Sequence, residues 1–147
     1  MEIKVKKFDE KAVEPYKKHQ EDFGYDLTAT SVEQVAPNIY KYGVGLGFQI
    51  DRTDFEDDTL LSLDIRPRSS VWNTGMVLAN STGTIDELYN GQVFLIFYHV
   101  MPDMPKYEVG DKIGQMKLGF TIPLKWEFVD ELQDTSRGDG GFGSTGK

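Results

Sequence analysis

Nearly every apolar stretch of this chain is short, and nearly every one ends at a turn former. EIKVKKF (2–8) alternates. VGLGFQI (44–50), TLLSLDI (59–65), GMVLA (75–79), QVFLIFYHV (92–100), DKIGQMKL (111–118) and IPLKWEFV (122–129) follow. Side chains alternate across a strand, so period-two patterns and short apolar runs of this length fit strands better than helices. Many short strands punctuated by Gly, Pro and Asn predict an all-β sandwich or barrel, not βαβ units. QVFLIFYHV is apolar on both faces and is expected to be a central, fully buried strand. Helical signal is thin. SSVWNTG suits two turns, with Ser69 or Ser70 as N-cap and Gly75 as stop. TIDELY suits one turn, and residues 8–22 are polar and fit neither pattern.

A chain of 147 residues with 39% hydrophobic and 27% charged residues can build one compact domain. The expected division is a folded body over 1–135 and a Gly-rich arm over 136–147. Cysteine is absent, which removes disulfides and thiolate metal ligands and fits a reducing compartment. The charged, alternating N-terminus lacks the apolar core of a signal peptide, and no apolar run approaches the roughly 20 residues that span a membrane. A cytoplasmic protein is expected, in the host cytoplasm if viral, with a nucleus or organelle left open.

The net charge of −8 argues against general affinity for a nucleic acid backbone. If such a chain binds phosphate, it must use a few local cations, backbone N–H groups or a metal ion. No P-loop pattern is present. The acidic stretch Asp51–Asp58 fails as an EF-hand loop, because Glu56 and Ser62 stand where Gly and Glu are required. A solvated hairpin turn is expected there instead.

Several stretches carry chemistry. In RPRSS, Arg68 offers a planar fork of donors, and Ser69 and Ser70 lie where a short helix would begin. Such a combination suits a phosphate, although an ordinary capped helix with a surface Arg explains it too. In NSTGTIDELYNG (80–91), Gly83 and Gly91 frame an expected tight hairpin. Asp86 could orient and deprotonate a water molecule, and Tyr89 could pack against a sugar. Taken alone, a turn Asp and a core Tyr suffice. FGYDL (23–27) places Asp26 in a strand, and GDKIGQMKL (110–118) interrupts one with Gln115, whose amide needs partners if buried. The chain ends in RGDGGFGSTGK, a run unsuited to helix or strand.

In this order, the stretches resemble the five signature motifs of the trimeric dUTPase family: FGYDL, PRSS, GTIDELYNG, GDKIGQ and RGDGGFGSTG, spread from about residue 23 to the end. The resemblance implies a jelly-roll-like β barrel of the dUTPase β-clip type, assembled as a homotrimer with three sites between subunits. The first, second and fourth motifs would come from one chain, the third from a neighbour and the arm from the third chain. It implies hydrolysis of dUTP to dUMP and pyrophosphate, which keeps uracil out of DNA and supplies dUMP for dTTP synthesis.

By resemblance, Asp86 holds the attacking water as general base. Tyr89 packs under the deoxyribose and leaves no room for a 2′-hydroxyl. Asn80, Gly83 and Ile85 read uracil. Arg68, Ser69, Ser70 and Gln115 hold the phosphate chain, and Asp26 reaches Mg²⁺ through water. In the arm, Arg137 meets the phosphates, Phe142 stacks on uracil, and Gly143, Ser144 and Thr145 wrap the γ-phosphate as a lid. Neither direct nucleic acid binding nor membrane binding is implied.

The departures from the family pattern are Phe23 for a small residue, Asn90 for Arg or Gln, Gly114 for Ala, and Asp139 among the arm glycines. His19 and His99 have no implied role and are read as surface and core. Two competing readings remain. A dCTP deaminase shares the fold but uses a glutamate base and lacks this arm. A regulatory protein would use nucleotide closure of the arm to signal to a partner.

Overall fold

The computed structural model describes residues 2–56 and 58–140. Their regular structure is almost entirely antiparallel strand: β1 (Ile3–Lys7), β2 (Tyr25–Thr28), β3 (Ser31–Ala36), β4 (Ile39–Gly43), β5 (Leu46–Ile50) and β6 (Leu60–Arg66), a 3₁₀ helix (Ser69–Thr74), then β7 (Met76–Leu78), β8 (Gly83–Asp86), β9 (Phe94–His99) and β10 (Lys112–Thr121). They form a two-stranded ribbon, β1-β5, and two four-stranded sheets, β2-β10-β6-β8 and β3-β4-β9-β7.

The arrangement is the expected jelly-roll-like β barrel. Leu61, Leu63 and Ile65 of β6 alternate inward, as do Leu95 and Phe97 of β9, and the two sets share one core with Tyr42 and Ile113. The sheets approach closely at Gly114 of β10, where a Cβ would stand 2.8 Å from Leu95 Cδ2 of the facing sheet. Gly in place of Ala is therefore a packing feature here. Tyr42, fully buried, donates its hydroxyl to the Tyr107 carbonyl at 2.7 Å. His99 is a core residue as expected. Its Nε2 lies 3.0 Å from the Met104 carbonyl, which can only accept, so the proton sits on Nε2. His19 is exposed.

Six local expectations need correction. QVFLIFYHV is central, between β4 and β7, but only one of its faces is buried. Phe94, Ile96 and Tyr98 point away from the core, because no layer among the described residues covers the outer side of that sheet. IPLKWEFV forms no strand. The ladder ends at Thr121, and 122–139 are exposed, with Phe128 at 99%. TIDELY is not helical: Gly83–Asp86 is strand β8, paired with β6.

Nor is the region framed by Gly83 and Gly91 a hairpin, because β8 belongs to a different sheet from its sequence neighbours β7 and β9. Asp51–Asp58 likewise links two sheets. Its Arg52 donates to the Thr59 carbonyl at 2.8 Å and pairs with Glu87 at 2.5 Å, so the loop is braced rather than free. SSVWNTG does form two short turns, stopped by Gly75 in the left-handed region at φ 61°. They are 3₁₀, however, and the N-cap is Arg68 rather than a serine.

Candidate active site

Three adjacent strands bring the first group of expected residues together. Along one rung, Asp26 of β2 stands opposite Gln115 of β10, and Gln115 opposite Arg66 at the end of β6. Pro67 follows, and Arg68, still in extended conformation, lies over the same face. Arg68 Nε donates to Asp26 Oδ1 at 3.0 Å, and its Nη1 approaches Ser70 Oγ at 3.5 Å. Lys112 Nζ reaches Asp26 Oδ2 at 3.0 Å, and Gln115 Nε2 reaches Oδ1 at 3.4 Å. Ser69, exposed, opens the 3₁₀ turn beside them.

Burial works against the charge on Asp26. The hydrogen bond from Lys112 and the positive charges of Arg68 and Lys112 outweigh it and hold the carboxyl below the usual carboxylate range. These residues line an open groove of about 470 Å³, whose walls also include Lys18, Arg66 and Lys117. A polyanion therefore meets a locally cationic groove on a chain of charge −8. Lys112 was missed from sequence although GDKIGQ contains it. Its charge next to Gln115 was the available signal, and only the buried amide was weighed.

The second group lies elsewhere. Asn80, Gly83 and Ile85 line a cavity of about 210 Å³ between β8 and β9, closed by Phe94 and Leu78. Asp86 ends β8 opposite Ser62, and its carboxylate is exposed, with no hydrogen-bond partner among the described residues. A backbone bond from Tyr89 N to the Asp86 carbonyl, 2.9 Å, makes the turn that follows. The Tyr89 hydroxyl donates to the Gln92 carbonyl at 2.8 Å, folding its ring back over Gly91. A Cβ on Gly91 would stand 2.7 Å from that hydroxyl, so any side chain there would displace the Tyr89 ring.

The register separates the groups. Ser62, facing Asp86, lies four residues before Arg66 on β6, roughly 13 Å along the strand. Within one chain the water-activating candidate is thus well away from the phosphate-holding cluster. Arg137 is exposed, and its Nε donates to the Gly140 carbonyl at 2.9 Å within its own turn. Phe142, Gly143, Ser144 and Thr145 lie outside the described residues.

No group of three or more His, Asp or Glu residues that could hold a metal occurs among the described residues. Asp26 is the one groove carboxylate on the expected motif, and its oxygens already accept from three side chains. This donor set fits a hard cation held mostly by ligand oxygens and water, with few protein ligands. No helix among the described residues is long and apolar enough to cross a membrane.

Fold and groove together define an all-β protein equipped to hold a phosphate chain, with a small cavity and an exposed carboxylate on a separate strand. The dUTPase family model matches residues 10–146. The chain belongs to the dUTPase family. A deoxyuridine 5′-triphosphate nucleotidohydrolase of Clostridium novyi is 38% identical over 99% of both chains. One from Crocosphaera subtropica is 35% identical, again over 99% of both. Among solved structures, a dUTPase of Staphylococcus bacteriophage 80alpha with dUpNHpp superposes with a TM-score of 0.78 at 21% identity, covering 99% of each chain. A dUTPase from phage phi11 of S. aureus, described with a structural Mg(II) ion, gives 0.68 at 18% identity over 91% of this chain and 100% of its own.

Proposed function

We propose that this chain hydrolyses dUTP to dUMP and pyrophosphate at sites completed between subunits of a homotrimer. Family membership across nearly the whole chain carries the reaction. Asp86 takes a proton from a bound water, whose oxygen attacks the α-phosphorus. The bond to the bridging oxygen breaks, and pyrophosphate leaves. Arg68, Ser69, Ser70 and Gln115 hold the phosphate chain. Asn80, Gly83 and Ile85 hold uracil in the smaller cavity, and an isostere of the wrong hydrogen-bond pattern there leaves buried groups unpaired. Tyr89 packs under deoxyribose.

An arm, 136–147, closes over the body of the fold, 1–135. In that arm Arg137 meets the phosphates, Phe142 stacks on the base, and Gly143, Ser144 and Thr145 wrap the γ-phosphate. Mg²⁺, when bound, would neutralise charge on the phosphate oxygens, and Asp26 would reach it through water.

Two observations support assembly. The expected catalytic carboxylate and the phosphate cluster lie apart in one chain. The outer face of β9 leaves Phe94, Ile96 and Tyr98 uncovered beside Val77 of β7, an apolar patch of the kind that subunits bury. A cytoplasmic site of action belongs to the same proposal.

A regulatory role gated by nucleotide is the second reading. The related phage 80alpha dUTPase is described as controlling transfer of virulence genes, but at 22% identity that likeness carries the fold alone.

The test is pyrophosphate release from dUTP, dTTP, dCTP and UTP, with Mg²⁺ and then with a chelator. Selective, metal-dependent release from dUTP is expected. Binding of dUTP without release would favour the regulatory reading, and ammonia release from dCTP would indicate a deaminase.

A further inference from the structure

Arg66 and Arg68 flank Pro67, yet among the described residues only the Arg68 side chain has a partner. Strand β6 ends at Arg66, and the chain stays extended through Arg68, with φ −72° and ψ 154°. Side chains two apart in an extended chain share a face, and both arginines line the 470 Å³ groove. Arg66 also completes a rung: Asp26, Gln115 and Arg66 stand opposite one another on β2, β10 and β6. Residues directly opposite on adjacent strands point to the same side about 5 Å apart. Arg66 thus stands next to Gln115 on the side from which Gln115 reaches Asp26.

The other groove cations on these strands are committed. Arg68 and Lys112 pair with Asp26, and Lys117 pairs with Asp64 at 3.1 Å. Arg66 is exposed, and its side chain makes neither hydrogen bond nor ion pair among the described residues. A guanidinium carries five donors in a fork that matches phosphate oxygens. Binding a phosphate through Arg66 breaks no existing contact, whereas Arg68 must share or leave Asp26 to do the same.

We propose that Arg66 is a further substrate-binding residue: a second guanidinium on the phosphate chain of the nucleotide, beside Arg68 and Gln115. This rests on the dUTP-hydrolysing reading of the groove. Arg66 acts on the phosphates and not on the base, which belongs to the cavity around Asn80 and Gly83. It contributes to ground state and transition state alike, so it lowers KM and leaves kcat largely alone.

The experiment compares wild type with Arg66→Gln in the full chain. It measures kcat and KM for dUTP with Mg²⁺, inhibition by inorganic pyrophosphate, and inhibition by deoxyuridine, which lacks phosphate. Expected are a KM raised about tenfold, the loss of one charge-assisted contact, and pyrophosphate inhibition weakened by a similar factor. Deoxyuridine inhibition and the melting temperature should not change, because Arg66 has no partner to lose. Unchanged KM and unchanged pyrophosphate inhibition would overturn the inference. An equal weakening of deoxyuridine inhibition would also overturn it, since that marks general damage to the site. The parent reading fails separately, in the wild-type assay, if dUTP is not turned over at all.

Discussion

Asp26 and Asp86 are carboxylates on strands of the same sheet, and their surroundings assign them opposite work. Asp26 is buried and accepts from Arg68, Lys112 and Gln115, whereas Asp86 is exposed and accepts from no side chain among the described residues. An unengaged carboxylate is free to orient and deprotonate a water, whereas one already paired with two cations is a weaker base. Asp86→Asn should therefore keep dUTP binding while turnover falls by about two to four orders of magnitude. Nucleotide titration beside the pyrophosphate assay checks this, and wild-type turnover by the variant would remove Asp86 from the chemistry.

Asp26 has a stability signature instead. Its folded-state value is depressed, so its contribution is fully present above the unfolded carboxylate range near pH 4 and is lost as pH falls through the folded value. Urea midpoints of wild type and Asp26→Asn should differ most at neutral pH and converge on acidification. A gap that widens in acid would contradict the pairing. At this scale much was legible, because Asp26, Arg68, Ser70 and Gln115 meet as their motifs imply. Lys112 was not, since a lysine in a polar loop-to-strand junction looks like any solvated charge until the carboxylate it faces is located 86 positions earlier.

Among the elements, periodicity succeeded where the chain supplies its own partner. β6 and β10 form strands where their short apolar runs suggest them, whereas β9 alternates although its sequence reads as apolar on both faces. The β3–β4 hairpin escaped notice although its signal was present. Pro37-Asn38 joins Ala36 to Ile39, and Asn38 sits at φ 59°, a residue suited to the positive-φ position of a tight turn. The failure at IPLKWEFV has the opposite cause. Its alternation of Ile122, Leu124, Trp126 and Phe128 is real, but a strand needs a neighbour, and none among the described residues pairs with it. That stretch precedes the arm.

Deleting 136–147 should leave an assembled, cooperatively folding protein with little activity. Thermal unfolding, mass by light scattering and pyrophosphate release together check it. If the shortened chain no longer folds, the arm is structural and not a lid.

For the molecule as a whole, the sheet order matters most. A jelly-roll closes by pairing strands far apart in sequence, such as β1 with β5 and β2 with β10. Neither pairing is visible in local pattern, so the fold class was readable from punctuation while the sheet order was not. That order places Asp86 and the Arg68 cluster at separate stations on one sheet.

The central claim is that a working site takes its carboxylate from one chain and its phosphate-holding cluster from another. Subunit mixing tests this directly. Asp86→Asn and Arg68→Ala are each prepared, each assayed alone, then unfolded, mixed in equal amounts and refolded together. If sites are shared, random assembly gives about a quarter of them both native partners, so the mixture recovers about a quarter of wild-type turnover from two nearly inactive proteins. If the mixture stays as inactive as its parts, each chain holds its own complete site, and the shared-site account is wrong.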